Sequence, residues 1–73
     1  MTKAIYLKEY KLIAEKLKKA RIESGLTQEV VAEKIKRPQS YISKVEQGEQ
    51  RIDIIELQHF ASLYKRDINY FIK

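Results

Sequence analysis

The chain has 73 residues, with 15 Lys and Arg against 10 Asp and Glu, two Gly, one Pro and no Cys. That length accommodates one domain with one modest core, residues 1–73. Without Cys there is no disulfide scaffold, Cys-ligated zinc site or thiol nucleophile, and so few chain breakers favour helices over a turn-rich all-β chain.

No apolar run approaches the roughly 18 residues that cross a membrane, and charge recurs every few residues from Met1 onward, unlike a secretory signal. A reducing, cytoplasmic location is therefore expected. The net charge of +5 is uneven: residues 1–24 carry +4, residues 25–33 carry −2, residues 34–51 carry +3, and residues 52–73 are neutral. Basic charge gathered in the first and third segments suits a surface that faces a polyanion. Glu9, Glu15 and Glu23 interrupt the first basic stretch, which argues against a membrane-surface helix.

In chain order, Tyr6, Tyr10, Ile13, Leu17 and Ala20 recur at helical spacing and predict a long first helix. Gly25 is suited to the left-handed residue that ends it. Thr27 caps a short second helix, Gln28 to about Ile35, with Glu29 in its first turn and Val31, Ala32 and Ile35 facing inward. Pro38 holds Arg37 out of the α region and ends that helix. Proline also suits the first position of a third helix, expected over Pro38 to Gln47 and closed by Gly48. Asp53 caps a fourth helix, with Glu56 as capping-box partner and Ile54, Leu57, Phe60, Ala61 and Tyr64 buried. Asp67 caps a last short helix carrying Ile68, Phe71 and Ile72. The fold class is all-α, with five helices.

The third helix is the informative one. At about 100° per residue, Ser40, Ser43, Lys44 and Gln47 fall within roughly 140° of Gln39, while Tyr41, Ile42 and Val45 fall on the other side. An ordinary solvated face would mix Glu with Lys. This one presents short polar side chains and one long cation, with Glu46 at the border of the apolar arc, and so suits close approach to base edges and phosphates. The remaining chemistry is sparse. His59 is the single histidine, and Ser24, Ser40, Ser43 and Ser62 have no elbow, second histidine or thiol around them to make a nucleophile. No catalytic residues, metal ligands or cofactor are expected.

The stretch from Ala20 to Ile35, followed by Arg37 to Arg51, resembles the helix-turn-helix domain of lambdoid phage repressors, Cro and the small bacterial regulators built like them. The segments Asp53–Tyr64 and Asp67–Phe71 match the two following helices. The resemblance implies a five-helix DNA-binding domain with its helix-turn-helix at about residues 28–47, in which Ala32, Ile42 and Val45 pack the two helices at a fixed angle. It implies base contacts from Gln39, Ser40, Ser43 and Lys44, and contacts to the DNA backbone from Gln28, Arg37, Tyr41, Gln47 and Arg51. Arg21 and Glu46 match a structural ion pair of the family. Two positions depart: Lys36 stands at the turn where the family usually has Gly, where a left-handed backbone costs about 1 kcal/mol, and Arg37 stands where the family usually has a small residue after the turn.

The expected function is a transcriptional regulator that binds double-stranded DNA in a sequence-specific way. A module this small reads too few base pairs to find one genomic site, so a homodimer on an inverted repeat is expected. Ile68, Tyr70, Phe71 and Ile72 span more than one face of a short helix, which points to the fourth and fifth helices as the dimer surface, with Tyr70 or Ile72 left over for the partner. Tyr6 and Tyr10 offer an alternative surface. The competing function is a protein-interaction module of the antitoxin type, with DNA binding secondary.

Overall fold

The computed structural model describes the backbone of residues 2–72 and the side chains of residues 10–72. Five helices follow one another: α1 (Thr2–Glu23), α2 (Gln28–Ile35), α3 (Gln39–Glu46), α4 (Ile54–Tyr64) and α5 (Asn69–Ile72). The side chain of Tyr6 lies outside the described residues. Among the described residues, no helix is long and apolar enough to cross a membrane.

α1 has no Gly or Pro, and its Ala14, Leu17 and Ala20 form a buried stripe at three-residue spacing. That stripe packs against α3, α4 and α5. The core joins Leu17 and Ala20 to Val31 and Ala32 of α2, Ile42 and Val45 of α3, Leu57, Phe60, Ala61 and Tyr64 of α4, and Phe71 of α5. Each large apolar side chain so enclosed contributes about 1.5–3 kcal/mol. Ala32, small enough to let α2 and α3 approach, lies where those two helices pack most extensively. The Tyr64 ring pairs with Phe60 at 6.1 Å between centroids. Burial pushes its hydroxyl pKa well above the usual tyrosine range, with the nearby Glu46 carboxylate acting in the same direction.

The helix starts follow local chemistry. Thr27 accepts from the Val30 N–H, and Asp53 accepts from the Glu56 N–H at 2.8 Å. Pro38 differs from expectation. It is the N-cap of α3, with φ −61° and ψ 151°, rather than its first helical residue. Its extended ψ lets it turn the chain between two helices separated by three residues. The expected capping box at α4 is also incomplete, because the Glu56 side chain reaches across to Arg37 instead of back to Asp53. Ile54, expected inside, is 59% exposed, as is Ile55, while Glu56 is buried. Helical spacing fixes the direction in which a side chain points. It does not fix how far along the helix the neighbouring elements extend, and Ile54 is the first residue of α4.

The four longer helices end alike. In each, a left-handed residue stands at the C-cap (α2, α4) or two residues past the last helical residue (α1, α3), and the next N–H turns back to a carbonyl five residues earlier: Leu26 to Arg21, Arg37 to Ala32, Glu49 to Lys44 and Arg66 to Ala61. Two of the left-handed positions are Gly25 and Gly48, and two are Lys36 (φ 66°) and Lys65 (φ 57°). Gly48 is constrained by its surroundings as well as by its φ of 76°. A Cβ there would lie 3.1 Å from Lys11 Cγ and 3.3 Å from Lys11 Cα, so the turn after α3 packs directly on the α1 backbone. Lys36 and Lys65 tolerate their strain partly because a cation beside a helix C-terminus meets the negative end of its dipole.

Lys36→Gly removes the left-handed strain and forfeits the smaller dipole contribution, so it should raise unfolding free energy by roughly 0.5–1 kcal/mol. Urea unfolding checks this through a higher midpoint at unchanged slope. A lower midpoint would contradict the strain assigned to this turn.

Candidate nucleic-acid interface

The candidate surface is the polar side of α3, held at both ends by other helices. At its C-terminal end, Glu46 is the point of attachment. Glu46 Oε2 accepts from Arg21 Nε at 2.7 Å, and Oε1 accepts from Arg21 Nη2 at 3.1 Å. The same Oε1 accepts from Gln28 Nε2 at 3.0 Å. Arg21 Nη1 also donates to the Leu26 carbonyl at 2.9 Å. The two charged side chains are only 12% and 4% exposed. The hydrogen bond that Arg21 donates to Glu46 raises the Arg21 pKa above its ordinary value. One carboxylate therefore ties α1, the start of α2 and the end of α3 together.

The network continues to the front of α3. Gln28 Oε1 accepts from Gln39 Nε2 at 3.4 Å, so the Glu46 carboxylate and the Gln28 and Gln39 amides form a hydrogen-bonded line running from the last residue of α3 to its first. Gln39, Ser40 and Lys44 are exposed, while Ser43 is half-buried and accepts from Gln47 Nε2 at 3.2 Å. Ile42 and Val45 are buried on the opposite side. The face expected from the helical wheel is thus the face that stands clear of the core.

Arg37, expected to touch a phosphate, is engaged within the chain. Its Nη2 donates to Glu56 Oε1 at 3.2 Å, and its guanidinium lies 4.9 Å from the centre of the Tyr41 ring. Tyr41 is half-buried against the core, and that burial raises its hydroxyl pKa. Glu56 is the functional neighbour that sequence reasoning missed. Its partner lies 19 residues away, and a Glu at the third position after a capping Asp has an ordinary local explanation. Glu56 Oε2 is buried without a hydrogen-bond partner among the described residues. Arg51 is exposed on the loop after α3 and lines a shallow surface depression with Tyr10, Ile52 and Asp53, where the Tyr10 hydroxyl donates to the Ile52 carbonyl at 3.5 Å. His59 is exposed on α4. Among the described residues, no group of His, Asp or Glu is placed to hold a metal ion.

A family model described as helix-turn-helix matches residues 17–71 of the chain. No curated protein matches it. The matched segment contains α2 to α4 entire and α5 as far as Phe71, and leaves most of α1 outside it. Tyr10, Lys11 and Ala14, which brace the turn after α3 and extend the core, lie outside the matched segment.

Glu46→Ala leaves the Arg21 guanidinium without its carboxylate and frees the Gln28 amide. It should cost about 3–5 kcal/mol, a large share of what a small domain possesses. Thermal or urea unfolding checks this, and an unchanged midpoint would reduce the pair to surface decoration.

Proposed function

The chain belongs to the helix-turn-helix family of Cro- and repressor-like DNA-binding regulators, and we propose that it reads a specific double-stranded sequence as a homodimer on an inverted repeat. The observation that carries this reading is the exposed polar face of α3, anchored at its front through Gln39 and Gln28 and at its back through Glu46.

Gln39 supports the most specific part of the reading. One of its two amide hydrogens is directed to Gln28, which orients the side chain and leaves the other hydrogen and the carbonyl oxygen available. A donor and an acceptor side by side match N7 and the N6 amino group of adenine in the major groove. Ser40, Ser43 and Lys44 follow along the same face, with Lys44 suited to guanine or phosphate. Gln28, Gln47, Tyr41 and Arg51 are the proposed contacts to the flanking backbone. The free N–H groups at the start of α2 add to that role beside Gln28. Arg37 joins them only by leaving Glu56, since its guanidinium is already paired.

The dimer reading rests on the C-terminal helices. Phe71 is buried, Tyr70 stands edge-on to it at 5.0 Å, and the cations of Lys16 and Arg66 lie 5.9 and 5.4 Å from the Tyr70 ring centre. Ile68 is half-buried, whereas Ile72 is 51% exposed. Ile72 is therefore the apolar side chain of α5 offered to a partner, with Tyr70 beside it. Two copies related by a two-fold axis would set their α3 helices about 34 Å apart, one turn of DNA.

Selection of binding sites from random duplex DNA tests the reading. It should return an inverted repeat with half-sites one helical turn apart. Gln39→Ala should relax one base position in each half-site, at a cost of about 1–3 kcal/mol, while Arg51→Ala weakens all sequences alike. Equal effects of both substitutions on selected and random DNA would overturn the assignment of α3 as the reading helix.

A further inference from the structure

Between the last turn of α2 and the C-terminal half of α4 lies a groove of about 380 Å³ that DNA reading by α3 does not use. Its floor is apolar, formed by Ile35 and Leu63, both half-buried against the core. Its rim is Lys34, Lys36, His59 and Ser62. No carboxylate lines it, and no residue of α3 does. In a chain where 10 acidic residues are spread among 15 basic ones, a rim of two lysines and the single histidine is a one-sided arrangement.

We propose that this groove docks an acidic peptide segment of a protein partner, one carrying an apolar side chain between its carboxylates. The floor has room for one or two aliphatic side chains. The apolar lining distinguishes the occupant from a nucleic acid backbone, which would meet the lysines but leave Ile35 and Leu63 in water. The rim supplies charge complementarity: two ammonium groups from the end of α2, with the His59 imidazole on the α4 side. Lys36 belongs to the groove by virtue of its backbone. The left-handed cap turns the chain at the end of α2, and a glycine would satisfy that geometry with no side chain to offer. A partner held here leaves Gln28 and the polar face of α3 clear, so it can engage the chain while DNA is bound.

The test uses a short fluorescein-labelled peptide in which single leucines alternate with pairs of aspartates. Anisotropy should show saturable binding in the range of about 10–100 μM. Amide NMR shifts on titration should cluster at Ile35, Lys36, Ser62 and Leu63. A peptide with serine for each leucine should lose the binding. Lys36→Gly, which relieves backbone strain and therefore preserves the fold, should weaken it about threefold to fivefold. Four results overturn the proposal. One is equal binding of the serine peptide, and another is full affinity in Lys36→Gly. A third is peptide shifts centred on Gln28 and Gln39, which would make the peptide a phosphate mimic on the DNA face. The last is groove shifts produced by duplex DNA, or by raising the concentration of the chain alone, which would assign the groove to DNA or to a second copy.

Discussion

Glu46 is the constraint on which the arrangement depends. Its carboxylate is 4% exposed and accepts from two nitrogens of Arg21 and from Gln28. A charge in that position is tolerated only because it is fully paired, and the pairing fixes three helices relative to one another. The apolar contacts among Ala32, Ile42 and Val45 hold α2 against α3, but the hydrophobic term that drives them carries no direction of its own. The hydrogen bonds to Glu46 do. They set where the first residue of α2 stands, and through the Gln28–Gln39 hydrogen bond they reach the first residue of α3. The element that presents the proposed reading face is thus positioned by polar bonds at its ends and by apolar packing along its back.

A second physical theme is the way the helices end. The same left-handed turn is used four times, by Gly25, Lys36, Gly48 and Lys65. Of the two glycines only Gly48 faces a neighbour, Lys11 of α1, so there contact and conformation both favour glycine. The two lysines exchange some backbone strain for a cation at a helix C-terminus. In the case of Lys36 the side chain also contributes to the rim of the groove between α2 and α4. Basic charge in this chain is therefore distributed among distinct tasks: Arg21 inside the fold, Arg37 across the turn to Glu56, and Lys34 and Lys36 beside the groove between α2 and α4.

Much of this was legible in the sequence because it is local. Thr27 and Asp53 cap α2 and α4 at the positions their residue type predicts, and Gly25 and Gly48 end α1 and α3. The polar side of α3 follows from the helical wheel, and the pairing of Arg21 with Glu46 followed from resemblance to a family in which that pair recurs. What was not legible depends on separations that no local pattern encodes. Glu56 reads as a capping-box acid, yet its carboxylate is drawn 19 residues back to Arg37, whose long side chain lies across Tyr41. Ile54 has the azimuth of a core residue but lies at the very start of α4. The tie from Gln28 to Glu46 was hidden for a similar reason: a glutamine at a helix start is explained by its helix alone, and its second partner enters only when α3 folds back beside it.

The central claim is that the α3 face, set by Glu46, engages duplex DNA together with cations that neutralise its backbone. The most direct measurement is the affinity of the full chain for its selected duplex as salt is raised from about 50 to 200 mM. If 6–10 phosphates are contacted per dimer, affinity should fall by about three to five orders of magnitude, along a straight line in the logarithm of salt. An affinity that stays flat across that range would contradict the claim that this surface binds DNA.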